Sequence, residues 1–342
     1  MSRSACRRSR PTPCIAMPEP ARLPPNPVRR FYRGGPAIAA LRGEAAGPAD
    51  VPEDWVGSTT EAFGEPGVGL SPLPDGTLLR DAVAADPQGW LGPAHVARWG
   101  ADPLLLVKLL DAGERLPVHV HPDGPYARAH LDAGFGKTEA WVVAGGSGSL
   151  WLGWREPVAL EELRGWVDAQ DAEAMLAACN RMEVGPGDAY FVPAGVAHAI
   201  GEGLLIVECQ EPSDMSVLTE WRGHGVAGEE EATLGLGWET ALACVRLEAT
   251  DVAALRSSGS VPPPAADPFF RADELRPDAL LDQGFAILLV LDGAVALGGA
   301  LELERGAAAV VPHGAGAVRL GGDGRVLRCR PPDPAVDDPP AR

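Results

Sequence analysis

MEVGPGDAYFVPAGVAHAIGEGLLIVECQ, residues 182–210, and LELERGAAAVVPHGAGAVRLGGDGRVLRCR, residues 301–330, read as one pattern written twice. Each runs through a short strand, a glycine turn, a second strand, a V-P-x-G turn and further strand. Upstream, WVVAGGSGSLWLG (141–153) lies over LLVLDGAVALGG (288–299), so the echo extends through a hairpin. Many short strands, glycine-rich turns and a duplicated unit predict a mainly β chain folded as two antiparallel jelly-roll barrels. Between the strands of the first copy, residues 156–182 carry apolar residues at helical spacing and predict a small helical insertion. The expected layout is a tail over 1–28, a first barrel over 29–240 with the insertion near 156–182, a second barrel over 241–333 and a tail over 334–342. Residues 212–240 read as a polar connection.

The composition agrees with this fold class. The chain has 342 residues, with 42 glycines and 34 prolines, which favours turns and short strands over long helices. Its net charge is −18, yet eight arginines and only one glutamate fall within residues 1–35, leaving the body more acidic still. A strongly acidic body argues against a nucleic-acid partner. No apolar run reaches membrane-spanning length; GFAILLVL (284–291) ends at Asp292 and reads as a buried strand. The N-terminal 20 residues are basic but have no apolar stretch of the signal-peptide kind, and Met17 is a candidate start. Six scattered cysteines without a C-x-x-C predict free thiols and a cytoplasmic protein. The oligomeric state stays open.

Chemistry enters at HVHPD (119–123). On a strand, residues i and i+2 share a face, so His119 and His121 would present two imidazoles side by side. Glu139 precedes an apolar strand, and a carboxylate there is costly to bury unpaired. His198 follows the VPAGVA turn. Three imidazoles and one carboxylate suit a borderline divalent ion such as zinc, iron or manganese. In the duplicate copy His198 falls opposite Ala317 and Glu139 near Ile287, so the second barrel is expected to be metal-free. His95, His130, His224 and His313 have no ligand-type context. GFGKT (134–138) lacks the earlier glycine of a phosphate-binding loop, since Leu131 stands in its place.

The stretches LLVKLLDAGERLPVHVHPD, FGKTEAWVV and VGPGDAYFVPAGVAHAIGEGLLIVECQEPSD, with weaker echoes in RFYRGG (30–35) and PEDWVGS (52–58), resemble the class I mannose-6-phosphate isomerases, zinc enzymes of the cupin superfamily. The resemblance covers roughly residues 29–218 and implies a metal-dependent aldose–ketose isomerase acting through a cis-enediol on a sugar phosphate. His121, Glu139 and His198 match family zinc ligands, and His119 stands where the family usually has Gln. Lys108 and Lys137 match active-site lysines, with a pKa expected to be lowered by the metal and partial burial. Ser58 could serve the phosphate end. The family arginine after the S-D pair falls on Leu218, and Arg222, four residues on, is the nearest replacement. That departure opens a second reading, an isomerase or epimerase of another sugar or sugar phosphate. An iron cupin dioxygenase and a non-catalytic sugar-binding cupin are remoter rivals.

Overall fold

The computed structural model describes residues 17–257, 259 and 261–336. Cys6, Cys14 and the outer parts of both expected tails lie outside them. The chain opens with β1 (Ala21–Leu23) and β2 (Pro27–Val28), then passes through α1 (Ala37–Arg42) to β3 (Glu53–Val56). Three short helices, α2 (Leu79–Ala85), α3 (Pro87–Leu91) and α4 (Pro93–Trp99), lead to β4 (Leu106–Asp111). After α5 (Gly124–His130) comes the hairpin β5 (Glu139–Gly146) and β6 (Gly148–Trp154). The helical insertion is α6 (Leu160–Ala169) and α7 (Ala172–Ala178), followed by β7 (Cys179–Val184), β8 (Ala189–Val192), β9 (His198–Ile200) and β10 (Leu204–Gln210). Short helices α8 (Glu229–Ala232), α9 (Gly237–Ala241) and α10 (Val252–Leu255) precede the second set of strands. These are β11 (Arg271–Leu275), β12 (Leu280–Leu281), β13 (Ala286–Asp292), β14 (Ala294–Leu297), β15 (Leu301–Glu304), β16 (Ala308–Val311), β17 (Val318–Gly322) and β18 (Arg325–Arg330).

All of these strands pair antiparallel, and the strand order is duplicated in the four strands that the two larger sheets share. The first barrel has a sheet β2-β3-β4-β10-β5-β8 facing β7-β6-β9. The second has β1-β16-β13-β18-β11 facing β12-β17-β14-β15. Hence β4-β10-β5-β8 is answered by β11-β18-β13-β16. Isolated bridges His119–His198 and Val120–Val217 extend the smaller sheet of the first barrel across the histidines.

β4, LVKLLD, is buried along its whole length because both its faces are covered. Leu106, Lys108 and Leu110 point into the first barrel, whereas Val107 and Leu109 join Leu23, Ile287, Val310 and Leu327 in a core between the barrels. Each such aliphatic side chain contributes about 1.5–3 kcal/mol on full burial. Cys209 and Cys329, at matching positions on β10 and β18, are both buried in this interface. The four described cysteines are free thiols.

Three expectations need correction. Residues 21–23, expected in the tail, form an edge strand of the second barrel, with Ala21 opposite Val310, because Leu23 belongs to the inter-barrel core. Residues 241–257 belong with the first barrel: Leu242 and Val245 pack in its helical core, Ala249 bridges Trp154 and Arg256 bridges Tyr190. The second barrel's own strands therefore begin at Arg271 rather than near 241. The internal overlay was also one residue out of register. Glu139 pairs with Val192 as Ala286 pairs with Val311, and His198 bridges His119 as Val318 pairs with Leu281. Ala286 and Val318 face the second barrel's interior, while Ile287 faces the interface, as a one-residue shift on a strand requires.

Candidate active site and metal centre

The strand His119–Val120, β9 and the start of β5 bring three histidines together inside the first barrel. Their ligating nitrogens lie within 4.8 Å of one another, and all three side chains are buried. The local fold holds each ring from behind. His119 Nδ1 lies 2.8 Å from the Pro117 carbonyl, His121 Nδ1 2.9 Å from that of Met215 and His198 Nδ1 2.8 Å from that of Val196. A carbonyl can only accept, so Nδ1 carries the proton and Nε2 the lone pair in all three. Gly195, at φ +86°, turns the chain between β8 and β9, and its N–H donates to the His121 carbonyl at 2.8 Å.

Glu139 closes the cluster. Its Oε2 lies 3.2 Å from His121 Nε2 and its Oε1 lies 3.4 Å from His198 Nε2. Both carboxylate oxygens, and His198 Nε2, are buried without a hydrogen-bond partner. Burial holds His121 and His198 at about 3, and His119 well below its ordinary value, so the imidazoles are neutral at pH 7. Burial would raise Glu139, but the Lys137 ammonium outweighs it and keeps the carboxyl ionised. Neutral imidazoles with converging lone pairs, beside an ionised carboxylate that only Lys137 balances by an ion pair among the described residues, fit a divalent cation.

A ladder of buried charge leads away from the cluster. Lys137 Nζ lies 2.9 Å from Glu139 Oε2 and 3.0 Å from His121 Nε2. Glu208, on β10, stands 3.7 Å from both Lys137 and Lys108, and in register Glu208 lies directly opposite Lys108 on β4. Lys108 Nζ continues to Asp214 at 3.1 Å and Glu53 at 3.7 Å, and sits 4.6 Å above the Trp55 ring. Arg30 then contacts Asp214 at 3.0 Å and Glu53 at 3.6 Å, with Tyr32 donating to Glu53. Burial would lower Lys137, yet the carboxylates of Glu139, Glu208 and Asp214 raise it, contrary to the expected lowering. Burial, with Glu139 nearby, pushes Glu208 up to about 7 against the pull of Lys137 and Lys108. This places one carboxyl near neutrality between two ammonium groups.

Ser58 and Arg222, the residues expected at the phosphate end, do not line the cavity that holds Leu218. Ser58 is fully buried, and its hydroxyl donates to the Thr60 carbonyl and accepts the Thr60 N–H, a local turn. Arg222 is exposed, with its guanidinium over Trp221 at 5.2 Å. Leu218 lines a cavity of ≈ 810 Å³ with Arg29, Arg30, Asp214 and Ser216, and Arg222 does not line it. Two of its lining residues meet the centre from behind: Ser216 Oγ lies 3.2 Å from His121 Nδ1, the nitrogen turned away from Glu139, and Asp214 holds Lys108. The segment Ser213–Glu220, expected as polar connection, is thus largely buried structure.

A curated mannose-6-phosphate isomerase from Streptococcus mutans is 41% identical over 111 residues, 32% of this chain and 34% of that relative. The chain's likeness is to the mannose-6-phosphate isomerases. The sequence match spans about a third of the length of these curated relatives. The fold match is far longer: the mannose 6-phosphate isomerase structure from Bacillus subtilis superimposes over 92% of this chain and 100% of its own, with TM-score 0.71 and 21% identity. A variant of the phosphomannose isomerase from Salmonella typhimurium matches over 92% of this chain at TM-score 0.72 and 17% identity. No family model matches the chain.

Glu208, Asp214, Glu53 and Arg30 were missed in the sequence. A signal for the first existed: LLLVKLL and LLIVECQ each carry one charge amid apolar residues, as two strands do when they bury an ion pair between them.

Proposed function

We propose that the chain is a metal-dependent aldose–ketose isomerase that interconverts mannose 6-phosphate and fructose 6-phosphate in the cytoplasm. The observation that carries this reading is the buried Glu208 carboxyl between Lys108 and Lys137, at the edge of the His119, His121, Glu139 and His198 cluster. His119, His121, Glu139 and His198 would hold the ion, zinc by family resemblance, with iron or manganese compatible with the same donors. Such an ion supplies stabilisation of negative charge developing on sugar oxygens.

The protein's own groups do the rest. The Glu208 carboxylate takes the proton from C2 of the aldose, and the electron pair forms the C1–C2 double bond of a cis-enediol. The same carboxyl returns its proton to C1 as the C2 oxygen becomes the ketone. A carboxyl that titrates near neutrality suits both directions. As the enediol forms, the Lys137 ammonium gives O1 its proton, and as the C2 ketone forms the same amine takes up the O2 proton, while the Lys108 ammonium donates a hydrogen bond beside them. Arg30, which lines the cavity with Leu218, is the cation for the phosphate end, in place of Arg222 and Ser58. Among the described residues no helix is long and apolar enough to cross a membrane.

Leu218 favours one second reading, an isomerase or epimerase of another sugar or sugar phosphate. The test is a panel of hexoses, pentoses and their phosphates incubated with metal-loaded protein in D₂O and followed by NMR. Interconversion of mannose 6-phosphate and fructose 6-phosphate, with solvent deuterium at C1 or C2, supports the first reading. Turnover restricted to another sugar supports the second, and oxygen consumption without isomerisation overturns both.

A further inference from the structure

Strand order makes the second barrel a copy of the first, so the place that matches the metal centre can be inspected for what replaced it. β18 answers β10 and β11 answers β4. In the first barrel Glu208 lies opposite Lys108; in the second, Arg328 lies opposite Asp273. It is the same cross-strand ion pair with its charges exchanged. One step along, Gln210 lies opposite Leu106, whereas Arg330 lies opposite Arg271. Ala286 holds the place of Glu139, and no histidine occupies the place of His198. The mouth of this barrel has therefore lost every metal donor and gained three arginines.

These arginines line a cavity of ≈ 300 Å³, together with Asp282, Gln283 and His313. Arg328 is 7% exposed and is held by Asp273 at 2.9 Å and by Asp282. Arg330 is held by the same two aspartates, at 2.8 Å and 3.3 Å, and its Nε is buried without a partner. Arg271 spends its Nε on the Pro331 carbonyl at 2.9 Å and pairs with Asp333 at 3.1 Å. The balance of burial is uneven. The Arg328 and Arg330 side chains are 9% and 17% exposed, whereas that of Asp282 is 66% exposed. The cations are fixed in the wall and Asp282 is a rim carboxylate reaching inward, so an incoming anion can take its place without unfolding anything. Burial and the neighbouring Arg330 charge lower the Arg271 pKa, a sign that positive charge is crowded here.

We propose that the mouth of the second barrel binds a small phosphate-bearing anion on Arg328 and Arg330, displacing Asp282. Asp273 keeps the Nε and Nη2 edge of Arg328 and Nη2 of Arg330, so displacing Asp282 frees Nη1 of each arginine, and one phosphate can accept from both. The inference does not rest on the isomerase reading.

The probe is inorganic phosphate, titrated into the full chain at constant ionic strength set with KCl, with thermal stability and calorimetric heat as readouts. Wild type should show saturable stabilisation, and Arg30→Gln, which alters only the first barrel, should retain it. Arg330→Gln should weaken binding roughly tenfold, the value of one charge-assisted hydrogen bond. Asp282→Asn removes the internal competitor and should tighten binding, a result that a folding defect cannot imitate. If Arg330→Gln fails to fold, Asp282→Asn decides. Absence of saturable binding in both wild type and Asp282→Asn overturns the proposal. So does binding that is unchanged in Arg330→Gln, or lost in Arg30→Gln instead. Binding of citrate without binding of phosphate overturns the stated chemistry.

Discussion

Replacing Lys108 by Met removes a charge while nearly preserving shape, so its effect is electrostatic. The ammonium is 2% exposed and lies 3.1 Å from Asp214 and 3.7 Å from each of Glu53 and Glu208. At an effective dielectric constant of about 20, each contact is worth roughly 5 kcal/mol of gross attraction. The variant recovers the desolvation of the lysine, and Arg30 and Lys137 still face the same carboxylates. The expected net loss is therefore about 3–5 kcal/mol, the usual result of breaking one member out of a buried charge network. Urea unfolding followed by far-UV circular dichroism measures it by linear extrapolation. Adding Asp214→Asn to Lys108→Met should restore about 1–3 kcal/mol, because the carboxylate that lost its 3.1 Å ammonium partner is then neutral. A single-variant loss under about 1 kcal/mol, or strict additivity in the double variant, would refute the view of Lys108 as the keystone of this ladder.

Glu208→Gln in the otherwise intact protein should cut kcat by about 10²–10⁴-fold with little change in KM, measured by steady-state kinetics. Arg30→Gln should raise KM for a sugar phosphate while leaving metal content unchanged; Arg222→Gln should alter neither. Ile287→Ala, which opens the core between the barrels, should cost about 2–5 kcal/mol in the same urea assay. Glu220 adds a pH test: burial opposes its ionisation, but His224, Arg115 and the Val118 N–H bring its pKa down to about 2. A lowered folded pKa gives stability that is present above the unfolded value of about 4.3 and lost as pH falls. Wild type should therefore exceed Glu220→Gln above about pH 5 by up to ~2 kcal/mol, after allowance for solvent screening, and the gap should close towards pH 2.

The duplicated barrels were legible because V-P-x-G turns and alternating strands leave a local record. Register was less so: gaps in the turns shift an overlay by one residue, and only pairing partners such as Ala286 with Val311 reveal it. The gathering of His119, His121, Glu139 and His198 was readable, since a carboxylate before an apolar strand is costly to bury without a partner. β1 escaped notice because three residues among prolines carry no periodicity, and its partner β16 is nearly 290 residues away. Arg30 escaped for a similar reason. Nothing local in RRFYRGG tells which arginine turns inward, and its partners Glu53 and Asp214 are distant in sequence.

The central claim is tested most directly by a coupled assay of fructose 6-phosphate formation from mannose 6-phosphate by the zinc-loaded protein, with His198→Ala alongside. The account expects turnover in the wild type and none in the variant. A wild type that binds stoichiometric metal yet converts no mannose 6-phosphate would contradict it.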